Sequence, residues 1–118
     1  MKSNDGVFVI SVAARLVGMH ANTLRKYEKE ELLAPARTAG NLRLYSAEDI
    51  NRLQQIRTLS EEHGINVAGI RLALRVGEEI RRLREEVAEW AGMDDEVRRE
   101  LIGRLDRVLD ELELTVNN

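Results

Sequence analysis

The sequence has no cysteine, a single proline and only four aromatic residues among its 118 positions. Without a thiol it can form no disulfide, no zinc–thiolate site and no thiol redox switch. No apolar run approaches the roughly 18 residues that a membrane span needs, and residues 1–6 lack the apolar core of a signal peptide. These absences predict a protein of the reducing cytoplasm.

A chain of this length fits one small domain, or one domain with an extension. A monomer of this size buries only about two-thirds of the surface of its unfolded chain. Because four aromatic side chains make a thin core, the composition favours a homodimer that buries further surface between its two copies.

The formal net charge of −3 is distributed unevenly along the chain. Residues 1–60 carry nine basic and six acidic side chains, whereas residues 61–118 carry nine basic and fifteen acidic ones. The first half is therefore net +3 and the second half net −6. This division favours a first half that faces nucleic acid; ordinary scatter of charges is the alternative explanation.

Residues 11–31 have the layout of a helix-turn-helix, in which a tight turn joins two short helices. Ser11 is a candidate N-cap for the first helix, and Gly18 permits the turn. A second helix over 21–31 would bury Leu24 against the first. Its exposed face carries groups that can reach base edges and phosphates in a DNA major groove: Asn22, Thr23, Arg25, Lys26 and Lys29. A solvated helix face without a partner is the alternative.

Residues 36–45 alternate polar and apolar on either side of a Gly-Asn tip and predict a short β-hairpin. Arg37 and Arg43 make this hairpin basic, as expected of a wing that clamps DNA beside a recognition helix. Charged residues on an edge strand also resist aggregation, which is the alternative role. Ser46 and Asp49 then predict a capping box at the start of a third helix.

Apolar residues recur every three or four positions from Ala73 to Trp90, which is the pattern of a coiled-coil seam about two and a half heptads long. We expect dimerisation through this seam, at Val76, Ile80, Leu83, Val87 and Trp90. The flanking charges of Glu79, Glu86 and Arg84 favour a parallel pairing of the two helices.

A last helix over 95–112 has its own apolar seam, at Leu101, Leu105, Val108 and Leu112. We expect this helix to pack on the dimerisation helix and to offer a surface for a protein partner. The glutamates of the second half alternate with arginines at helical spacing, which predicts a solvated face.

The sequence offers no catalytic or metal-binding constellation. His20 and His63 have no acidic or thiol partner at the spacing of metal ligands. There is no glycine-rich phosphate loop, no nucleophile–base pair and no paired-carboxylate signature. We therefore expect a protein that is not an enzyme and that holds no metal or cofactor.

Several segments together resemble the N-terminal domain of the MerR family of bacterial winged-helix transcription regulators: 23–28, 32–37, 42–46 and 49–50. Others resemble the heat-shock repressor (HspR-like) branch of that family: 10–14, 18–21, 37–40 and 62–70. The sequence departs from the family pattern at Lys26, where many members have a second tyrosine, and at Leu44.

The resemblance implies a mainly α fold, with a winged helix-turn-helix DNA-binding domain at 8–75 and a helical dimerisation and effector region at 76–114. It implies a homodimer joined by a long helix that pairs antiparallel with its mate, in contrast to the parallel pairing that the flanking charges favour. The two recognition helices would then enter successive major grooves of an inverted-repeat operator. Carried over position by position, the DNA-binding residues are Asn22, Thr23, Arg25, Lys26, Tyr27, Arg37, Asn41 and Arg43. Tyr27 fits a phosphate contact and a core position equally well.

The resemblance further implies a cytoplasmic, nucleoid-associated repressor of heat-shock or chaperone genes, with a DnaK-type chaperone as a candidate co-repressor. Two other functions stay open. A MerR-like protein-interaction module, such as a chaperone modulator that does not bind DNA, would be expected to lack basic residues on its helix-turn-helix. An excisionase-like architectural DNA binder would have no use for the long dimerisation helix.

Overall fold

The computed structural model describes residues 6–112. Two predictions extend beyond this range: the absence of a signal peptide, which rests mainly on residues 1–5, and the end of the predicted dimerisation region at 113–114. The described part is mostly helical with one small sheet. This confirms the predicted fold class, a mainly α winged helix-turn-helix.

The chain divides into two compact units between Val67 and Ala68. The predicted division of functional domains, between residues 75 and 76, lies eight residues further along the chain and stays a prediction. Each unit satisfies its own helix ends and buries its own apolar side chains.

Two short helices, α1 (Ile10–Val17) and α2 (Ala21–Lys29), form the predicted helix-turn-helix. Gly18 ends α1 in the left-handed conformation with a φ of +69°. The N–H of Gly18 donates to the carbonyl of Arg15 at 3.3 Å, and the N–H of Met19 donates to that of Ala14 at 3.0 Å. A Cβ at position 18 would lie 2.5 Å from the guanidinium Nη1 of Arg57. The predicted role of Gly18 is confirmed, since the turn needs a positive φ that glycine adopts without strain, and a side chain here would also displace the guanidinium of Arg57.

The start of α1 differs from the prediction. A two-residue strand, β1 (Phe8–Val9), runs directly into the helix, so Val9 is the N-cap and makes no side-chain cap hydrogen bond. The prediction that Ser11 caps this helix is wrong, because Ser11 already lies in its first turn. Pairing of Val9 with Leu44 holds the backbone extended up to the helix.

The second helix ends two residues earlier than predicted. Glu31 adopts the left-handed conformation with a φ of +63°. Its N–H donates to the carbonyl of Glu28, and the N–H of Leu32 donates to that of Tyr27, both at 2.9 Å. This is a Schellman ending built on a residue other than glycine, which costs roughly 1–2 kcal/mol relative to the right-handed conformation.

The predicted hairpin is present and belongs to a three-stranded antiparallel sheet in the order β1–β3–β2. Strand β2 is Ala36–Arg37 and strand β3 is Arg43–Tyr45, with Arg37 directly opposite Arg43. Asn41 makes the turn with a φ of +67°. The third strand, β1, was not predicted, because two residues are too few to show an alternating pattern.

A capping box begins α3 (Ala47–Arg57) as predicted. The Oγ of Ser46 accepts a hydrogen bond from the N–H of Asp49 at 3.0 Å, and the Asp49 carboxylate accepts one from the N–H of Ser46 at 2.9 Å. The helix continues as one π-helical turn, Thr58–Glu62. The buried apolar side chains of the first unit are Ala13, Ala14, Val17, Leu24, Tyr27, Leu32, Leu33, Tyr45, Leu53, Ile56 and Leu59.

The second unit is formed by α4 (Val67–Glu89) and α5 (Asp95–Glu111). The Asp94 carboxylate caps α5 by accepting a hydrogen bond from the N–H of Glu96 at 2.8 Å. The guanidinium of Arg98 donates at 2.7–3.2 Å to four carbonyls at the end of α4 and in the following turn, those of Val87, Ala88, Trp90 and Met93. It thereby satisfies carbonyls that a helix C-terminus leaves unpaired.

Arg84 of α4 also pairs with Asp106 of α5, at 2.6 Å.

Within residues 6–112, no helix combines the length and the apolar composition required to cross a membrane.

Candidate nucleic-acid interface

Helix α2 has one buried face and one exposed, basic face. Leu24 is fully buried, as predicted, and Tyr27 is only 8% exposed. The predicted contacts Asn22, Arg25 and Lys26 are exposed, and Thr23 is half-buried beside them. The burial of Tyr27 favours its core role over a phosphate contact, so its influence on DNA would pass through the position of the helix.

Arg25 and Asn22 form a pair on the exposed face. The Nη1 of Arg25 donates to the Asn22 Oδ1 at 2.8 Å. The remaining guanidinium donors of Arg25 and the amide donors of Asn22 stay available, and these are the groups that read guanine and adenine edges in a major groove. The side chain of Lys26 forms no hydrogen bond or ion pair with another described residue, as expected of a flexible phosphate contact.

The two wing arginines are tied to α2 by one carboxylate that the sequence did not single out. One Glu28 oxygen accepts a hydrogen bond from the Nη2 of Arg37 at 2.6 Å, and the other accepts one from the Nε of Arg43. Arg37 also donates through Nη1 to the carbonyl of Asn41 at 3.2 Å. Glu28 therefore attaches the wing to α2, and Arg37 attaches the tip of the wing, at Asn41, to strand β2.

Electrostatics match this geometry. Partial burial raises the pKa of Glu28, but the hydrogen bonds and charges of Arg43 and Arg37 outweigh it and hold the pKa of that carboxyl below its usual value. The hydrogen bond to Glu28 in turn raises the pKa of Arg43. Glu28 is thus ionised at neutral pH, and the three side chains carry a net charge of about +1.

Glu28 could not be found from local periodicity, since Arg37 and Arg43 follow it by nine and fifteen residues. Composition did not mark it either, because the helix predicted over 21–31 contains Glu30 and Glu31 as well, and Glu28 is the single acidic residue only within the observed bounds Ala21–Lys29.

Tyr45 lies at the end of β3 and is completely buried. Its hydroxyl has no hydrogen-bond partner in the described part of the chain. Burial raises the pKa of Tyr45, and the negative charges of Glu28 and Asp49 add to this rise, whereas the positive charge of Arg43 opposes it. Tyr45 therefore anchors the end of β3 in the core of the first unit.

Other basic residues of the first half have structural roles. The Nη1 of Arg57 donates at 2.7 Å to the carbonyl of Val17 at the end of α1, while its Nε pairs with Glu61 at 2.8 Å. The Nε of Arg52 donates to the carbonyl of Leu32. The excess of basic residues in the first half thus includes arginines that hold the fold together, whereas Arg25, Lys26 and Lys29 are exposed on α2.

The apolar seam predicted for dimerisation lies along α4 and is largely exposed. Val76, Leu83 and Trp90 are 40%, 45% and 58% exposed, and Ile80 is half-buried. Val87, in contrast, is only 3% exposed, so little of its side chain is left for a second chain to cover. A groove of about 500 Å³ includes Val76, Ile80 and Leu83 in its lining.

The predicted parallel pairing of two α4 helices relied on Arg84 as the basic partner of a glutamate in the second copy. Arg84 is held by Asp106 of the same chain, at 2.6 Å, and is not free to pair with a glutamate of a second copy. Glu79 is paired as well, with Arg82 of its own helix. The direction of helix pairing therefore has no support from these flanking charges.

The buried and exposed apolar residues of α5 differ from those expected of the predicted seam. Leu101 and Val108 are exposed, together with Val97, whereas Leu109, which the prediction omitted, is buried. Leu105 and Leu112 are half-buried. Within residues 6–112, no group of three or more histidine or acidic side chains is placed to hold a metal ion.

Comparison with known proteins identifies the class. The family model described as MerR HTH family regulatory protein matches residues 8–76, which cover the whole winged helix-turn-helix. The chain belongs to the MerR family, a family of DNA-binding transcription regulators rather than of enzymes.

The chain is similar to several curated members. It is 46% identical over 89 residues to the protein of Streptomyces coelicolor named as heat shock protein HspR, across 75% of this chain and 59% of the relative. It is 36% identical over 86 residues to the transcriptional regulator GlnR of Bacillus anthracis, across 70% of this chain and 66% of GlnR. It is 31% identical over 74 residues to the transcriptional regulator TnrA of Bacillus subtilis, across 63% of this chain and 66% of TnrA. The chain thus spans about three-fifths to two-thirds of the length of these relatives.

Proposed function

We propose that this chain is a sequence-specific DNA-binding transcription regulator that acts as a homodimer. The observation that carries the proposal is the exposed basic face of α2 together with the attachment of the basic wing to this helix, through the pairs of Glu28 with Arg37 and Arg43. Helix α2 is the recognition helix, and Arg25 and Asn22 read base edges in the major groove. Arg37 and Arg43 place the wing against the flanking phosphates.

The remaining predicted contacts have supporting roles. Thr23 and Lys26 bind the DNA backbone or a base edge near the start of the recognition helix. Asn41 shapes the tip of the wing through its positive φ and its hydrogen bond from Arg37. Tyr27 sets the position of α2 from within the core.

Dimerisation is assigned to α4. Val76, Leu83 and Trp90 are exposed and spaced by seven residues, so they lie on one side of the helix, and Ile80 lies between them. Val87 supports the same stretch from its buried position. Exposed apolar groups in such a row favour contact with a second copy, which would present two recognition helices to an inverted-repeat operator.

The genes controlled are proposed to be heat-shock or chaperone genes, and the effect on them is repression. The similarity to a relative named as a heat shock protein supports this assignment. A DnaK-type chaperone is the proposed co-repressor, and α5 is the proposed surface for such a partner. The working domains are 8–75 for DNA and 76–114 for dimerisation and partner response, and the site of action is the nucleoid in the cytoplasm.

Selection of binding sites from a random duplex library, using the whole chain, tests the proposal. We expect enrichment of one inverted repeat, and a genomic scan with it should find chaperone operons. No enriched sequence would favour the protein-interaction module instead. Binding to bent or AT-rich DNA without a repeat would favour the architectural binder.

A further inference from the structure

Glu28 has a position that a simple basic DNA-binding surface does not require. It is the one acidic residue of α2, and only a fifth of its side chain is exposed. Each of its two oxygens accepts a hydrogen bond from a different wing arginine, so both oxygens are occupied and the carboxylate is fixed by two strands at once.

The two arginines repel each other in the absence of this carboxylate. Arg37 and Arg43 are directly opposite across β2 and β3, and like charges at such a pair are destabilising. Glu28 offsets this repulsion from the side of α2. It also lowers the charge of the cluster by one, which reduces the number of counterions that the wing can displace from DNA.

The atoms involved leave one arginine able to bind a phosphate. Glu28 accepts a hydrogen bond from the Nε of Arg43. Neither terminal nitrogen of Arg43 has a partner within residues 6–112. Those nitrogens form a fork that suits a phosphate. Arg37, in contrast, uses one terminal nitrogen for Glu28 and the other for the Asn41 carbonyl.

We propose that Glu28 determines DNA specificity: it fixes the wing arginines relative to the recognition helix and withholds one positive charge from the DNA backbone. On random DNA, where phosphate attraction supplies nearly all of the affinity, the missing charge weakens binding. On the operator, where base contacts need the correct placement of α2 and the wing, the fixed geometry is favourable. This inference rests on the proposed function, because it assigns to Glu28 the control of DNA specificity at the same surface of α2 and the wing.

The test compares four forms of the whole chain: native, Glu28→Gln, Glu28→Asp and Glu31→Gln. Each is titrated against the selected operator and a random duplex at several salt concentrations, and its thermal unfolding is recorded. Glu28→Gln removes the charge and keeps the shape. Glu28→Asp keeps the charge but is one methylene shorter, and cannot reach both arginines at once.

Glu31→Gln is the matched control, because it makes the same charge change three residues further along, at an exposed position outside the cluster of Glu28, Arg37 and Arg43. For Glu28→Gln we expect the salt dependence on random DNA to steepen by about 0.9 in log–log slope and random-DNA binding to tighten by about five- to tenfold at 0.1 M salt. The ratio of operator to random affinity falls by a similar factor. Glu31→Gln changes the slope by clearly less.

Glu28→Asp should keep the native salt slope while the specificity ratio falls. Two results would overturn the inference and leave the proposed function intact: Glu28→Gln weakening both duplexes equally with an unchanged slope, or Glu28→Asp steepening the slope as much as Glu28→Gln. Failure of the native chain to bind either duplex would instead overturn the proposed function, and this inference with it.

Discussion

The two units of the chain differ in where their apolar side chains lie. Of the buried apolar residues among positions 6–112, eleven belong to the first unit and four to the second: Ile70, Leu74, Val87 and Leu109. The large exposed apolar residues show the opposite distribution, with three in the first unit and seven in the second. The first unit therefore closes its own core, whereas the second presents apolar surface that a partner can cover.

The polar contacts differ in the same sense. In the first unit, side chains join elements that are distant in sequence, such as Arg57 to the end of α1 and Glu28 to the wing. In the second, Arg98 and Arg84 hold two consecutive helices together. The first unit therefore presents a polar surface whose side chains are fixed by contacts between distant elements. The second unit leaves one face of α4 available for contact with a partner.

The largest expected effect comes from placing a charge in the exposed seam of α4. Leu83→Glu should convert the proposed dimer to a monomer, because an uncompensated charge buried in an interface costs roughly 3–5 kcal/mol. Sedimentation measures the change in mass, and operator titration should show a parallel loss of affinity. Ala88→Glu is the control, since five residues place it on the other side of the helix. A dimer that survives Leu83→Glu would remove α4 from the interface.

The next effect concerns the recognition helix. Arg25→Ala should cost about 1–3 kcal/mol of operator binding and relax sequence preference at one position, if Arg25 reads a base. Lys26→Ala should weaken all sequences alike and reduce the salt slope by about one, as expected of a phosphate contact. Titrations against the operator and single-base variants separate the two. Identical behaviour of both variants would contradict the division into base and phosphate contacts.

Removal of the Arg98 guanidinium tests how the second unit is held. Arg98→Ala leaves four carbonyls without their donor and should destabilise that unit by about 2 kcal/mol. Hydrogen exchange at the turn after α4 should increase, while exchange in α1–α3 stays the same. The neighbouring, exposed Arg99→Ala is the control. Equal exchange in both variants would show that the turn does not depend on Arg98.

A smaller effect, of opposite sign, is expected at the end of α2. Glu31→Gly should stabilise the first unit by about 1 kcal/mol, since glycine adopts the left-handed conformation without a Cβ penalty. Glu31→Ala removes the same carboxylate but keeps the strain, so it should not stabilise. Thermal unfolding of the two variants decides between relief of strain and loss of charge.

The smallest effect is a pH dependence. The pKa of Glu28 is lowered in the folded chain, so its contribution to stability is present above its ordinary pKa of 4.5 and is lost as the pH falls through the lower, folded value. The difference in unfolding free energy between native and Glu28→Gln should be constant near neutral pH and shrink in acid. A difference that persists to about pH 2 would exclude ionisation as its source.

The parts of the fold that could be predicted from the sequence have signals within a few residues. The capping box joins Ser46 to a residue three positions away, and Gly18 acts within one turn. The wing hairpin is predicted by its alternation and its Gly-Asn tip. The cap of α1 was predicted wrongly, because the helix follows a two-residue strand whose pairing is not local.

The contacts that organise the candidate site are long-range and carry no periodic signal. Glu28 reaches arginines nine and fifteen residues away, and Arg57 reaches a carbonyl 40 residues before it. The same applies to the seam of α4, where spacing predicted one continuous stripe but Val87 is buried in its own chain. Sequence patterns identified the exposed groups of α2, whereas the counter-charge that fixes the wing depends on the packed fold.

A footprint of the whole chain on the selected operator tests the central claim most directly, the claim that paired α2 helices and wings read one inverted repeat. Phosphate-ethylation interference and base-methylation protection should mark two symmetric half-sites, separated by about one helical turn or a multiple of it. Arg25→Ala should remove the protection of one base in each half-site and leave the phosphate pattern intact. A single asymmetric patch, or protection that Arg25→Ala leaves unchanged at every base, would contradict the account.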